Sequence, residues 1–181
     1  DDAVRIATWN LEWVGTRSPR AKLIHDRLAC VRPHVAVLTE ARRSVVDGRW
    51  PHVACTSPGA YPGNPSDGSK VLIASRLPIE VVDEEGDAGL PHGNFIAVDV
   101  QTPAGRVRVI GVVVRYREIS RYLDALPAAL ERTVRGLTVV AGDFNLRVPG
   151  GPQSRRLVAI LEGAGLTVRT HGSHEELTDE R

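Results

Sequence analysis

Polar side chains able to hold a hard metal ion follow three separate apolar runs of the sequence. Asn10 ends the first run, Glu40 ends the second, and Asp143 and Asn145 follow the third. Carboxylate and amide oxygens suit Mg²⁺ or Mn²⁺ better than Zn²⁺. If the runs end close together, the sequence predicts one oxygen-rich site for a hard divalent cation.

Two interpretations of these residues stay open. Side chains alternate between the faces of a strand, so Asp143 and Asn145 would share a face while Phe144 turns back into the packing. Alternatively, Gly-Asp-X-Asn after a strand forms an Asx turn, and a glutamate after an apolar run caps a helix or lies in solvent. The functional interpretation is favoured because all three groups end strands, where open α/β sheets gather ligand sites.

The elements that must position these residues are strands mixed with helices. Apolar runs predict strands over residues 4–11, 35–38, 71–74, 95–100, 107–114 and 137–142. Helical spacing of apolar residues predicts helices over 19–28, 122–134 and 154–162, and a long surface loop is expected over 57–69. The strands over 95–100 and 107–114 form a predicted hairpin. This mixture favours an α/β sandwich with two mixed β-sheets over a doubly wound parallel sheet.

Composition indicates one globular domain over residues 1–181. The chain has 23 Lys+Arg against 22 Asp+Glu, so its formal net charge of +1 supplies no broad basic field for duplex DNA. No apolar stretch approaches the roughly 20 residues that cross a bilayer, so we expect no membrane span, and we expect a monomer. The two cysteines predict buried thiols rather than a disulfide framework. The chain has no methionine, so we expect residues upstream of Asp1. The cellular compartment therefore stays open, although the cytoplasm is favoured.

Four motifs in this order resemble those of the endonuclease/exonuclease/phosphatase superfamily: Thr8-Trp9-Asn10-Leu11, Leu38-Thr39-Glu40-Ala41, Ala74-Ser75-Arg76-Leu77-Pro78-Ile79 and Val140-Ala141-Gly142-Asp143-Phe144-Asn145. The superfamily includes deoxyribonuclease I, exonuclease III type apurinic endonucleases, inositol polyphosphate 5-phosphatases and sphingomyelinases. The resemblance implies a four-layer α/β/β/α sandwich that hydrolyses phosphoesters.

The resemblance also implies a role for each site residue. It makes Glu40 a ligand of a catalytic Mg²⁺ (or Mn²⁺), and Asn10 a group that organises this metal and the phosphate. It makes Asp143 the group that orients or deprotonates the attacking water. Asn145 would contact the phosphate or hold Asp143. Such a set suits phosphodiester hydrolysis, which needs an aligned nucleophile and cations on the phosphoryl oxygens.

The sequence departs from the superfamily in two places. Where many members have a catalytic His or Tyr after the strand over 107–114, this chain has Tyr116, with Arg115 or Arg117 able to add charge at the phosphate; an interfacial Tyr beside solvent-facing arginines is the alternative. The terminal Asp-His of the family is absent, and His171 and His174 are expected to be solvated. We expect the strand that carries Asp-His to lie beyond Arg181; a partner chain that supplies it and a homologue of reduced activity are the alternatives.

The function predicted from the sequence is a nuclease-like, divalent-metal-dependent phosphodiester hydrolase. The alternatives are a phosphomonoesterase of a small or lipid-linked phosphate, and a catalytically weak phosphate-binding homologue. The predicted substrate is a phosphoester, and nucleic acid is among the candidates. Only 4% of the residues are aromatic, so the sequence gives little support for stacking on nucleic-acid bases. Glu12 is expected to lie outside the metal's direct ligands, and Arg42 and Arg43 to face a polyanion.

Overall fold

The structure is a computed structural model that describes residues 3–58, 65–84 and 89–169. In those ranges the chain forms eight strands, four α-helices and a short 3₁₀ helix. Their bounds, in chain order, are β1 Ile6–Asn10, α1 Pro19–Val31, β2 Val35–Arg42, α2 Arg43–Val46, β3 His52–Cys55, β4 Gly68–Ser75, β5 Ile79–Asp83, β6 Phe95–Thr102, β7 Gly105–Val113, the 3₁₀ helix Tyr116–Glu118, α3 Ile119–Thr133, β8 Thr138–Asp143 and α4 Pro152–Gly163.

The strands form two mixed sheets of four strands each. The first sheet has the order β1-β2-β4-β3, with β1 parallel to β2 and the other pairs antiparallel. The second has the order β5-β6-β7-β8, with β7 parallel to β8 and the other pairs antiparallel. The predicted α/β class with two mixed sheets is therefore confirmed.

Alternation along the strands divides the core into three apolar clusters. In β2, Val35 and Val37 pack between the sheets, whereas Ala36 and Leu38 pack on the side of α1. In the second sheet, strands β6 and β7 turn their other face toward α3 and α4. Helix, sheet, sheet and helix thus stack in the four-layer α/β/β/α order that the resemblance implied.

The two sheets lie close together at Gly111 in β7. A Cβ atom built on Gly111 would lie 2.5 Å from Cγ1 of Val71 and 3.3 Å from Cγ1 of Val37, both in the opposite sheet. A side chain here would push the sheets apart, since neither valine is able to move within a buried core. Gly111 therefore sets the spacing on which any site shared by both sheets depends.

Most elements lie where the sequence predicted them, including the hairpin between β6 and β7. Four short elements were missed: α2, β3, β5 and the 3₁₀ helix Tyr116–Glu118. The prediction of buried thiols was wrong, because Cys30 is exposed and Cys55 is half-buried. Among the described residues, no helix combines the length and apolar character that crossing a membrane would require.

Candidate active site at the strand ends

The ends of two parallel strands place Asn10 beside Glu40. In the ladder between β1 and β2, Asn10 pairs with Thr39, the residue immediately before Glu40. The chain after β1 stays on β2, because the N–H of Leu11 donates to the Thr39 carbonyl at 2.9 Å and that of Trp13 to the Glu40 carbonyl at 2.7 Å. Both polar side chains therefore stand at the same edge of the first sheet.

Asp143 comes to this edge from the second sheet. In β8, Val139 and Ala141 pack between the sheets, so alternation turns Asp143 toward the first sheet as well. There the Nδ2 of Asn10 donates a hydrogen bond of 2.8 Å to Oδ2 of Asp143. One side-chain contact thus joins the two sheets at their strand ends, and it does so between two residues that the sequence analysis selected.

The residue before Asp143 has to be glycine. Gly142 has φ +141°, a conformation that L side chains rarely adopt, and a Cβ atom there would collide with the carbonyl oxygen of Val112. The close approach lets β8 run against β7 up to its last residue, where Val113 pairs with Asp143. Gly142 therefore helps to set the position of the Asp143 backbone, from which the carboxylate projects.

The strand ends at Asp143, so alternation does not continue to Asn145, and that part of the sequence argument was wrong. Asn145 has φ +49°, its backbone N–H donates to Oδ1 of Asp143 at 2.9 Å, and its Nδ2 donates to the Val114 carbonyl at 2.8 Å. The Asx turn that the sequence left as an alternative is present. It coexists with the contact to Asn10, so both oxygens of Asp143 accept a hydrogen bond.

Glu40 sits at a break in the regular alternation of β2. Its φ is +47°, and Leu38 and Ala41, which are three residues apart, both pack in the cluster beside α1. The register that pairs Thr39 with Val71 and Ala41 with Ser69 sets Glu40 opposite Lys70 of β4. The Nζ of Lys70 donates to Oε1 of Glu40 at 3.0 Å.

The sequence analysis missed Lys70. Cross-strand contacts depend on the pairing register, and a run of apolar residues does not reveal which strand pairs with which. The one available signal was rarity, since Lys70 is one of only two lysines in a chain rich in arginine.

Tyr116 and Arg115 lie in the chain just beyond the end of β7. Both follow Val114, whose carbonyl is bonded to Asn145. Tyr116 is 76% exposed in the 3₁₀ helix. Arg115 donates through Nη1 to Oε1 of Glu118 at 2.8 Å, so its charge is already paired.

The other sequence candidates are engaged in the loops around the site. Glu12 is exposed and pairs with Arg20 at 3.0 Å, while its backbone N–H donates to Oδ1 of Asn10 at 2.9 Å. Arg43 lies 3.6 Å from Asp47. His171 and His174 lie outside the described residues.

Arg42 lies against the carboxylate of Asp67 rather than against open solvent, with its Nε 3.4 Å from Oδ1. The hydroxyl of Ser44 donates to Oδ2 of Asp67 at 2.6 Å. This hydrogen bond, followed by the charge of Arg42, lowers the pKa of Asp67 despite some desolvation. The three residues tie the start of β4 to the end of β2, next to the Glu40–Lys70 pair.

The donor set at the strand ends fits a divalent cation held by few protein ligands. Glu40 and Asp143 supply carboxylates, and Asn10 supplies an amide oxygen. The described part of the chain contains no group of three or more His, Cys, Asp or Glu side chains that would hold a metal on its own. Mg²⁺ is commonly bound through one or two carboxylates and several waters, so the set suits that ion better than one needing a full protein cage.

Solved structures share this fold at low sequence identity. The endonuclease domain of TRAS1, a telomere-specific non-LTR retrotransposon, matches with a TM-score of 0.68 and 18% identity over 93% of this chain and 76% of that domain. Sphingomyelinase C from Streptomyces griseocarneus matches with 0.61 and 18% over 87% and 69%. A mutant beta toxin from Staphylococcus aureus with bound magnesium ions matches with 0.59 and 15% over 87% and 70%. Among curated proteins, none matches this sequence significantly.

The sequence family is shown by a match that spans most of the chain. The model of the Endonuclease/Exonuclease/phosphatase family covers residues 7–169. The matched range contains Asn10, Glu40, Asp143 and Asn145, and the resemblance seen in the motifs is confirmed. The chain therefore belongs to the endonuclease/exonuclease/phosphatase family, a family of phosphoester hydrolases.

Proposed function

We propose that this protein hydrolyses phosphodiesters in a nuclease-like reaction that depends on a divalent cation, Mg²⁺ or Mn²⁺. The observation that carries the proposal is the hydrogen bond from Asn10 to Asp143, which brings the ends of both sheets together beside Glu40. Both residues stand at the edge where family membership and strand geometry would locate a reacting phosphate.

Asp143 is the base of the proposed reaction. A water oxygen forms a bond to phosphorus while the bond from phosphorus to the leaving oxygen breaks, and the proton of the water passes to Asp143 and then to the leaving group or solvent. The contacts with Asn10 and with the Asn145 backbone hold both carboxylate oxygens in place. A fixed carboxylate is therefore available for the water at no further ordering cost.

The remaining residues bind and orient the phosphate. Glu40 and Asn10 would hold the metal, which when bound supplies positive charge to the phosphoryl oxygens. Asn145 contributes its backbone to the position of Asp143, and its side-chain amide, which also donates to the Val114 carbonyl, would contact the phosphate. The phenol O–H of Tyr116 would donate a hydrogen bond to a phosphate oxygen. The guanidinium of Arg115 would add positive charge at the phosphate if its contact with Glu118 breaks.

The substrate class is a phosphodiester, with nucleic acid as the first candidate. The fold neighbours include an endonuclease domain and a sphingomyelinase, so fold alone leaves a lipid-linked phosphate as the competing substrate. A panel of nicked, abasic and single-stranded DNA, RNA, sphingomyelin and small phosphomonoesters, each with Mg²⁺, separates the choices. Cleavage of monoesters alone would overturn the diesterase assignment.

A charge-removing variant tests the metal site. Glu40→Gln keeps the size of the side chain but removes its charge, so the rise in thermal stability with added Mn²⁺ should diminish. Glu80→Gln is the matched control, since Glu80 is an exposed residue of β5 in the other sheet. An equal response to Mn²⁺ in wild type and Glu40→Gln would remove Glu40 as a ligand of the metal.

A further inference from the structure

Lys70 is a largely buried positive charge beside Glu40. Its Nζ lies 3.0 Å from Oε1 of Glu40, and the two side chains are only 18% and 25% exposed. The other lysine of the chain, Lys22, is 82% exposed and pairs with Asp26 one helical turn away. The two lysines thus differ in environment, although both are paired with a carboxylate.

The ring of Trp13 holds the ammonium from a second side. Nζ of Lys70 lies 5.0 Å from the centre of this ring, within the range of a cation–π interaction. The backbone N–H of Trp13 donates to the carbonyl of Glu40, and the ring lies over Gly68, where a Cβ atom would come within 2.8 Å of it. A carboxylate, an aromatic face and a glycine therefore form a seat for the ammonium at the start of β4.

This seat has a consequence for metal binding, because Lys70 engages the carboxylate that the proposed function assigns to the cation. An ammonium ion is a compact point charge that draws on the same oxygen lone pairs as a divalent cation and repels it. A divalent cation held by Glu40 would weaken the contact of Lys70 with this carboxylate, and the ring of Trp13 would remain a partner for the ammonium.

We propose that Lys70 competes with the divalent cation for Glu40 and so sets the metal affinity of the site. This inference rests on the proposed function. It makes Lys70 a positioning residue that acts through Glu40, and it predicts weak metal binding that removal of the ammonium strengthens. A neighbouring charge at such a distance changes the equilibrium constant for binding a cation to a carboxylate by about tenfold or more. We therefore expect the divalent cation to bind about tenfold more tightly without the ammonium of Lys70.

Three variants of Lys70 and Lys22 test the competition through the dissociation constant for Mn²⁺, measured by electron paramagnetic resonance at one fixed pH. Lys70→Met keeps the length of the stem and its contact with Trp13 but loses the charge, and it should bind Mn²⁺ about tenfold more tightly. Lys70→Arg retains the charge and should resemble wild type. Lys22→Met is the matched control and should also resemble wild type. Equal or weaker binding by Lys70→Met would overturn the inference.

A second measurement uses the wild-type chain and does not depend on the folding of any variant. With ¹³C-labelled lysine the chain gives only two Cε signals, from Lys22 and Lys70. Added Mg²⁺ should shift the Lys70 signal in step with binding and leave that of Lys22 in place. A Lys70 signal that stays fixed at saturating Mg²⁺ would overturn the inference. If Glu40→Gln binds Mn²⁺ as wild type does, the metal lies elsewhere, and this inference fails together with the assignment of Glu40 as a metal ligand, whereas phosphodiester hydrolysis is tested separately by the substrate panel.

Discussion

Replacing the carboxylate of Asp143 by an amide distinguishes an effect on the hydrolysis rate from an effect on stability better than removing the side chain does. Both oxygens of Asp143 accept hydrogen bonds, Oδ2 from Asn10 and Oδ1 from the backbone of Asn145. Asparagine has one acceptor oxygen, so in Asp143→Asn its amide N–H₂ group meets another donor at one of these positions. The variant therefore loses a hydrogen bond as well as its basicity.

The size of each loss follows from these contacts. The missing bond is charge-assisted but half-exposed, so we expect the free energy of unfolding to fall by about 1–2 kcal/mol. Loss of a positioned general base should slow the hydrolytic step by about 10²–10⁴-fold. A fall of 2 kcal/mol leaves a domain of ordinary stability almost wholly folded, so unfolding does not account for such a decrease in rate.

A reciprocal exchange restores the contact without restoring the base. In the double variant Asn10→Asp/Asp143→Asn, the new amide at 143 donates to the new carboxylate at 10, and its oxygen still accepts from the Asn145 backbone. The carboxylate at 10 also keeps the backbone donor of Glu12 that Asn10 accepts now. The free energy of unfolding should therefore recover. The reaction should stay slow, because the carboxylate is now at the end of β1 and not at the end of β8.

Urea denaturation and single-turnover hydrolysis of a phosphodiester with Mg²⁺, measured on the same samples, check this prediction. Ile24→Val, in a buried position of α1 away from the site, is a control with a comparable stability loss of about 0.5–1.5 kcal/mol and should keep the wild-type rate. A rate that recovers together with stability in the double variant would refute Asp143 as the base and leave it only the role of an inter-sheet contact.

Two further predictions concern the frame around the site. Gly142→Ala should lower the free energy of unfolding by at least about 1–3 kcal/mol, because the backbone conformation and the Val112 carbonyl oppose a side chain; in urea denaturation Gly163→Ala, which meets open space, should be nearly neutral. Asp67→Asn should lower the melting temperature at pH 7. Since the pKa of Asp67 is lowered in the folded state by Ser44, its contribution is full above the ordinary value of 3.8 and is lost as the pH falls through the folded-state pKa. The two melting curves should therefore converge in acid, and a constant difference down to pH 2 would contradict the assignment.

The sequence was informative wherever an element is long and buried on both faces. Strands β2, β4, β6 and β7 are nearly continuous apolar runs because each is covered by the other sheet and by helices. The missed elements are short or exposed. Strand β5 lies at the edge of its sheet with an irregular register between Val81 and Asp83, and α2 has only four residues. Neither length nor alternation distinguishes such segments from loops.

The candidate site was predictable in its residue types but not in its contacts. Asn10, Glu40 and Asp143 are found by locating polar residues at the ends of apolar runs. Their mutual arrangement depends on strand order, on the register of β2 with β4 and on backbone conformations with positive φ, as at Glu40 and Asn145. Those features arise from tertiary packing, so a local pattern contains no record of the Lys70 contact or of the turn at Asn145.

Because the candidate site is divided between two sheets, its geometry depends on the distance between those sheets. Asn10 belongs to one sheet and Asp143 to the other, and their contact of 2.8 Å tolerates little change in the distance between the sheets. That distance is limited by Gly111, where the opposite sheet would contact any side chain. The valines and isoleucines between the sheets therefore do more than stabilise the fold, because a larger residue there would separate Asp143 from Asn10. Glu40 and Lys70 lie on adjacent strands of one sheet and are insulated from such a change. Core substitutions should thus disturb the Asn10–Asp143 contact before they disturb the Glu40–Lys70 pair.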